Sequence, residues 1–323
     1  MKTSLAQRMV GGLLAFLLLL GLGGCGGGSG SNSAGGGIGG SGISVGAITA
    51  IGSIDVNGVR FDTSDAAIYV SGENKGTGDQ VVRSQLHVGQ VVVVEGTVNE
   101  NEFAGSAGHV YFDANVAGSV ESDPVAGEFL VLGQLVVCDS DTVFAGYTSL
   151  DDVQKGDLVE VSGLVGSAGT VHATYVARKL SLAEQEVKGV VHDLSSSTRT
   201  FTLRDLTVEY DDTTEFPDGE PEEGQLVQVK GTLQSNGKLE ATTIKLAREA
   251  RIADAERMDV EGLVTEVITP SEFSVGYREI RWSGATQFKN GTPADIAVGA
   301  NLEVRGRLEN GVLVARKITF AKK

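Results

Sequence analysis

Cysteine and histidine are scarce in this chain of 323 residues, and each scarcity excludes a class of protein. Two cysteines exclude a small scaffold held together by disulfides. The four histidines, which are not at zinc-ligand spacing, are His87, His109, His172 and His192. The sequence also contains no nucleophile elbow and no phosphate-binding glycine loop. The sequence therefore predicts no catalytic residue, no metal ligand and no cofactor.

The first 24 residues have the pattern of a secretory signal. Lys2 and Arg8 precede an apolar run that is too short for a spanning helix, which needs about 20 residues. No later stretch is long and apolar enough to cross a membrane. We therefore expect residues 1–24 to be a signal peptide.

Cys25 follows directly, in the sequence Leu22-Gly23-Gly24-Cys25, which resembles a bacterial lipobox. The resemblance implies cleavage before Cys25 and acylation of its thiol; an incidental cysteine behind an ordinary signal, or an uncleaved anchor, is the alternative. Gly26 follows instead of Asp, which by resemblance to lipoproteins of double-membraned bacteria favours the outer membrane. The sequence does not indicate whether the protein faces the periplasm or the cell surface.

A glycine-serine segment and a strong negative charge follow the cysteine. Residues 26–42 contain ten glycines and four serines in seventeen positions, so residues 25–42 are predicted to be a flexible tether with a span of roughly 20–25 Å. Without Lys2 and Arg8 the chain has 24 basic and 42 acidic residues, a net charge of −18. This charge repels phosphate backbones, so we expect no nucleic-acid partner.

The body of the chain is a fourfold repeat. The pattern Gly-x-x-[Val/Leu]-x-Val-x-Gly has the period of a half-buried strand, and its glycines are typical of a bulge or tight bend. It occurs at 89–96, 156–163, 224–231 and 299–306. Two further series recur every 72 residues; they are Phe129, Phe201 and Phe273, and Thr142, Thr214 and Thr286.

These markers predict an all-β protein of four tandem β-barrels. The repeats are bounded as 43–114, 115–182, 186–247 and 258–321, with an insertion near 71–85 in the first. About 65 residues are too few for a two-sheet sandwich, so we expect each repeat to form an OB-like barrel of five or six strands and no helix. Residues 248–257, rich in alanine and charge, are predicted to be a short helical linker, and the repeats are expected to behave as beads with limited freedom.

Two features admit a structural and a chemical interpretation. Cys138 occupies the slot of Tyr210 and Trp282, and it is either a buried apolar filler or a reactive or metal-binding thiol. The segment Asp139-Ser140-Asp141 and the nine acidic residues from Asp205 to Glu223 form either a solvated surface or a calcium site. The first interpretation is favoured for each.

The tandem pattern resembles a bacterial domain family of unknown function that is found in predicted lipoproteins and secreted proteins. The resemblance rests on the run from Gly52 to Val59, on the Val-x-Val-x-Gly strands and on the Gly-x-Leu-x-Ala-x-x-Ile pattern from Gly237 to Ile244. It implies OB-like barrels and supplies no catalytic residue.

We therefore expect a lipid-anchored envelope protein that binds or scaffolds and is not an enzyme. Its expected partners are the membrane, through Cys25, and another envelope protein or an extracellular polymer. Two alternatives remain open: an enzyme or accessory subunit with a site at a cleft between barrels, and a calcium-binding surface protein.

Overall fold

The computed structural model describes residues 40–99 and 103–322, and their secondary structure is mostly β. The predicted signal peptide, Cys25 and residues 26–39 of the predicted tether lie outside the described residues. The last three residues of that tether, 40–42, are not flexible linker but the start of the first strand, where they pair with residues 96–98. Repeat 1 comprises β1(Gly40–Ala50), β2(Ile54–Val56), β3(Val59–Asp62), β4(Ala67–Val70), β5(Glu73–Thr77), α1(Asp79–Gln85), β6(Val91–Val98) and β7(Ala104–Phe112). Repeat 2 comprises β8(Val116–Ser119), β9(Glu128–Val131), β10(Gln134–Val137), β11(Val143–Ala145), β12(Leu158–Val165) and β13(Val171–Lys179).

The second half of the chain continues the pattern. Repeat 3 comprises β14(Gln185–Ser195), β15(Thr200–Leu203), β16(Leu206–Glu209), β17(Leu226–Leu233) and β18(Leu239–Leu246). Repeat 4 comprises β19(Ala255–Thr269), β20(Glu272–Val275), β21(Arg278–Arg281), β22(Gln287–Lys289), β23(Asn301–Glu309) and β24(Val312–Phe320). Single 3-10 turns lie at Leu150–Asp152, Ser167–Gly169, Arg248–Arg251 and Pro293–Asp295.

Repeats 3 and 4 each form a closed five-stranded barrel. In repeat 3 the strands pair in the ring β14-β15-β16-β18-β17, and β17 returns to β14. All contacts are antiparallel except β16 with β18. Repeat 4 has the same ring, β19-β20-β21-β24-β23. The predicted small barrels are confirmed.

Repeats 1 and 2 follow the same order with local departures. In repeat 1 the ring is β1-β2-β3-β7-β6, and β4 with β5 extends the sheet beyond β7. In repeat 2 a single bridge, Val120 to Val131, connects the segment after β8 to β9. The prediction that no repeat contains a helix is wrong for repeat 1. There the longer connection between the third and fourth barrel strands has room for α1.

The repeated glycines have two distinct backbone roles. The first glycine of each pattern has a positive φ, between 80° and 91°, at Gly89, Gly156, Gly224 and Gly299. The second lies at a register shift between the last two barrel strands, where a Cβ would overlap a carbonyl oxygen of the neighbouring strand; these are Gly96, Gly163, Gly231 and Gly306. The predicted bend and bulge are both present.

The phenylalanines and threonines that recur every 72 residues pack in the barrel cores and form hydrogen bonds across the barrels. Phe129, Phe201 and Phe273 are buried in the core. The hydroxyls of Thr142, Thr214 and Thr286 each donate to a carbonyl of the last barrel strand, at 2.7, 2.9 and 2.7 Å. Each also accepts a backbone N–H from three residues earlier. The 72-residue spacing therefore identified residues of the core and the threonines that form a recurrent hydrogen bond to the last barrel strand.

The repeats pair through their first strands, which contradicts the expected beads. In β1, residues 42–45 pair in parallel with 257–260 of β19, which joins repeat 1 to repeat 4. β8 pairs antiparallel with β14, which joins repeat 2 to repeat 3. The cores merge as well, since one hydrophobic cluster spans repeats 2 and 3 and another adds Val45 and Val93 to repeat 4. The stretches 42–45 of β1 and 257–260 of β19, which leave one side unpaired within their own barrels, are thereby covered.

The connection between repeats 3 and 4 is not the predicted helix over 248–257. Arg248–Arg251 form a single 3-10 turn, Ile252 has an extended backbone, and β19 begins at Ala255. Pairing of Ala255 and Met258 with β23 favours strand over helix in this short segment. The turn is docked: Arg248 lies 3.9 Å from the ring centroid of Tyr111 and pairs with Glu95.

Candidate functional site

All four repeats meet at one cavity of about 140 Å³, which we call the central cavity. Its wall is largely apolar, with side chains from each repeat and from the segment after the 3-10 turn; they include Val45, Leu164, Leu226, Ile252, Met258 and Val260. The exposed Ala250 also lines it. Val45, Ile252, Met258 and Val260 also belong to the hydrophobic core of repeat 4, so the cavity adjoins that core where the repeats pack against each other.

A buried ion pair lies on the wall of the central cavity. Lys188 Nζ is 2.6 Å from Glu249 Oε1, and the Lys188 side chain is 6% exposed. Burial acts to lower the pKa of Lys188, but the charge and hydrogen bond of Glu249 outweigh it and leave the pKa above its usual value. Burial likewise opposes ionisation of Glu249, and Lys188 reverses the effect, so that the pKa of Glu249 is lowered. Both groups are therefore charged at neutral pH.

Two further charged groups of the cavity, Arg278 and Glu261, are held by the protein backbone. Arg278 donates from Nη2 to the Glu249 carbonyl at 2.6 Å and from Nη1 to the Gly311 carbonyl at 2.8 Å. Glu261 Oε2 accepts the Ala47 N–H at 3.2 Å, and burial raises the pKa of Glu261. Glu249 Oε2 is different, because it is buried and has no hydrogen-bond partner.

A second polar cluster joins repeat 1 to repeat 3. Lys230 Nζ donates to the Ser71 carbonyl at 2.8 Å, and Gln228 Nε2 donates to Glu186 Oε1. Burial and the nearby charge of Asp113 raise the pKa of Glu186 to about 7, against the opposing effect of Lys230. Glu186 thus has a carboxyl group that titrates near neutrality inside an interface between repeats.

A third cluster lies where repeat 1 meets repeat 4. Asp259 is fully buried, and its two carboxylate oxygens lie 2.7 Å from Arg305 Nε and 2.9 Å from Arg257 Nη2. Asn57 Nδ2 donates to the carbonyls of Val45 and Asp259, at 3.0 and 3.3 Å. The three clusters together show that buried polar and charged groups fasten the repeats to one another.

The acidic segments are dispersed instead of converging. Among the nine acids of 205–223, Asp212 pairs with Arg199, Glu209 with Lys238, and Asp218 with Arg251. In the segment 139–141, Asp139 accepts the Asp141 N–H at 2.8 Å. Over residues 40–99 and 103–322 no group of three or more His, Cys, Asp or Glu side chains could hold a metal ion. The described residues thus give the calcium alternative no support.

The predicted site residues fall in different places. Cys25 lies outside the described residues. Cys138 is partly buried against the shared core of repeats 2 and 3, and burial raises the pKa of its thiol to about 11, which is the behaviour of a filler. The histidines have separate neighbours: His87 stacks on Tyr175, while His109 and His192 lie 3.7 and 3.6 Å from Glu95 and Glu223.

Sequence reasoning did not find Lys188 and Glu249. Lys188 follows Glu186 and Val187, an alternation typical of a strand with one solvated face. Glu249 lies in a charged stretch that resembles a solvent-exposed helix. The two groups are buried only because the repeats pack together, and no local sequence pattern indicates that packing.

No helix in the described part of the chain is long and apolar enough to cross a membrane.

Comparison with known proteins identifies the repeat and little else. The family model described as "Domain of unknown function (DUF5666)" matches four segments, 45–104, 117–177, 188–245 and 261–319, each inside one predicted repeat. No curated protein matches the chain. A solved structure named drosophila Unr CSD456 is 16% identical, covering 65% of this chain and 98% of its own, with a TM-score of 0.18.

Proposed function

The chain belongs to the DUF5666 family, with four copies of the domain, and from this premise we propose that it is a lipid-anchored envelope protein that binds or scaffolds without catalysis. Its partners in this proposal are another envelope protein or an extracellular polymer. The lipid on Cys25 attaches it to the outer membrane, and residues 26–39, which precede β1, separate the folded body from the bilayer.

The fusion of the four barrels is the observation that carries the proposal. β1 and β19 connect the first repeat to the last, and the described residues, 40–99 and 103–322, lie in one compact unit. A unit of this kind holds its outer surfaces at fixed separations, so a partner that contacts two repeats does not lose the entropy of ordering them. This property suits a scaffold.

The chemistry of the central cavity also favours binding over catalysis. The enzyme alternative placed its site at a cleft between barrels, and the cavity is such a place. Its two carboxyl groups, Glu249 and Glu261, are engaged by Lys188 and by the Ala47 N–H. General acid-base catalysis needs groups that face a common reacting atom, whereas these groups hold the repeats together.

Fractionation tests the anchor. We expect the wild-type protein to sediment with outer membranes and to incorporate a labelled fatty acid, because acyl chains provide stable attachment when more than one is present. Cys25→Ala should lose the label and no longer sediment with outer membranes, while Cys138→Ala should retain both. Retention of the label by Cys25→Ala would refute lipidation at this residue.

Crosslinking within intact envelopes tests the binding role. The wild-type protein and Cys25→Ala are crosslinked, purified under denaturing conditions and compared for attached protein or polysaccharide. We expect a discrete partner that is enriched with the wild type and reduced with Cys25→Ala, since anchoring raises the local concentration. Failure of any envelope component to exceed the level captured by an unrelated lipoprotein would contradict the proposal.

A further inference from the structure

The central cavity has the dimensions of a small-molecule site. Its volume of about 140 Å³ is close to that of cavities, about 150 Å³, that hold one benzene molecule in another protein. Leu164, Ile252, Met258 and Val260 supply apolar surface for such a ring. The exposed Ala250 at its edge indicates that the cavity is reached past the 3-10 turn.

One acceptor in this apolar wall lacks a donor. Glu249 Oε1 is bonded to Lys188, whereas Glu249 Oε2 is buried and has no hydrogen-bond partner. A buried carboxylate oxygen without a donor is unfavourable, because the desolvation of a charged group is then not compensated by a hydrogen bond. A ligand with one N–H or O–H would supply the missing donor.

The charge of the site constrains the ligand further. Lys188 already neutralises Glu249, and the Nη1 and Nη2 atoms of Arg278 are bonded to carbonyl oxygens. An anionic ligand would therefore enter a largely apolar space without a free counter-charge, at a high desolvation cost. A cationic ligand would meet only Glu261, whose ionisation burial already opposes, as its raised pKa shows. A neutral ligand avoids that cost.

We propose that the central cavity binds a small neutral molecule with a compact hydrocarbon body, about the size of a single ring, and one hydrogen-bond donor directed to Glu249 Oε2. The hydrocarbon body lies against Leu164, Ile252 and Met258. Because every repeat contributes to the wall, the bound molecule also connects the four barrels. This inference goes beyond the proposed scaffolding role and does not depend on it.

Phenol and toluene are the probes, since they share a ring and differ by the donor. The full chain with Cys25→Ala, free of detergent, is titrated with each, and the Met258 methyl resonance is followed by NMR. We expect phenol to shift this resonance and to bind about tenfold or more tighter than toluene, the value of one hydrogen bond to a charged acceptor.

Two variants locate the binding. Ala250→Phe places a ring at the edge of the cavity and should abolish the phenol response. Ala285→Phe, at an exposed alanine outside the cavity, should leave it unchanged. If Ala250→Phe fails to fold, the response of the Met258 resonance to phenol in the chain without either substitution still tests the proposal.

The proposal is overturned by either of two results. One is an unchanged Met258 resonance up to about 10 mM phenol, which would limit binding to about 3 kcal/mol. The other is equal affinity for toluene and phenol, which would remove the role of Glu249 Oε2. Neither result bears on the crosslinking experiment, so failure of this site and failure of the scaffold are separable.

Discussion

At the scale of single residues, the bulge glycines are the positions least able to change. A Cβ at Gly306 would overlap the Val314 carbonyl oxygen and approach the Ala315 backbone. Gly306→Ala must therefore displace one of the two strands, and we expect a loss of about 2–3 kcal/mol in unfolding free energy. Gly284→Ala in the same repeat meets no atom within 4 Å and is the control. Urea unfolding of both variants measures the difference, and equal stability would contradict this role of Gly306.

The recurrent threonine provides a second test at this scale. Thr214 Oγ1 accepts the Asp211 N–H at 3.0 Å and donates to the Ala241 carbonyl at 2.9 Å in a buried setting. Thr214→Val keeps the shape and removes both bonds, so we expect a loss of about 1–3 kcal/mol. The exposed neighbour Thr213→Val should change stability by less than about 0.5 kcal/mol. Thermal unfolding distinguishes the two, and equal losses would show that burial of the hydroxyl is unimportant.

At the scale of elements, the sequence predicted what is repeated and missed what is local or between repeats. Glycine and phenylalanine spacing located the barrel strands because both residue types are required by the barrel itself. The helix α1 was missed because it lies in the insertion of repeat 1, which has no counterpart to compare. The linker 248–257 has the composition of a helix, and its strand pairing with β23 depends on a distant backbone.

The same limit applies to the candidate site. Pairing of β1 with β19 uses backbone groups, which carry no residue-specific signature, so no pattern foretold it. Lys188 and Glu249 line the cavity at which all four repeats meet, so their burial depends on how the repeats pack together. Residues that form the core and turns of one barrel could be predicted, and residues that are buried where four barrels meet could not.

The strand β14 carries a pH-dependent element of the junction. The pKa of Glu186 is raised from 4.5 to about 7, chiefly by burial. The folded state thus binds a proton more tightly than the unfolded state, and the resulting stability is complete below about pH 4.5 and is lost as pH rises through about 7. Gln228 Oε1 and Asp113 Oδ1, both buried without a partner, are acceptors that a protonated group could serve.

Replacement of Glu186 should remove this dependence. Glu186→Gln cannot ionise, so we expect it to gain stability over the wild type between about pH 5 and pH 8, by on the order of 3 kcal/mol for a shift of this size. Glu222→Gln, an exposed acid of the same repeat, should run parallel to the wild type. Chemical unfolding across this pH range gives the comparison. A gap between Glu186→Gln and wild type that does not widen with pH would contradict the assignment.

At the scale of the whole molecule, the first and last repeats are structural neighbours. Residues 42–45 of β1 form the middle of a sheet, with β6 on one side and β19 on the other. Val45 and Val93 of repeat 1 belong to the core of repeat 4. The arrangement makes the stability of the start of the chain depend on its end, which four separate beads would not do.

Deletion of residues 255–323 tests this dependence directly. Without β19, the β1 amides that face it lose their acceptors and Val45 becomes exposed, so we expect amide hydrogen exchange in residues 42–45 to accelerate by about a hundredfold or more, the equivalent of about 3 kcal/mol. The amides of β16 in repeat 3, which pairs only within its own barrel, serve as the internal control. Unchanged exchange in β1, with β16 also unchanged, would show that repeat 1 is stable alone. The scaffold proposal would then lose its main support, which is that the repeats depend on one another and so hold a fixed geometry.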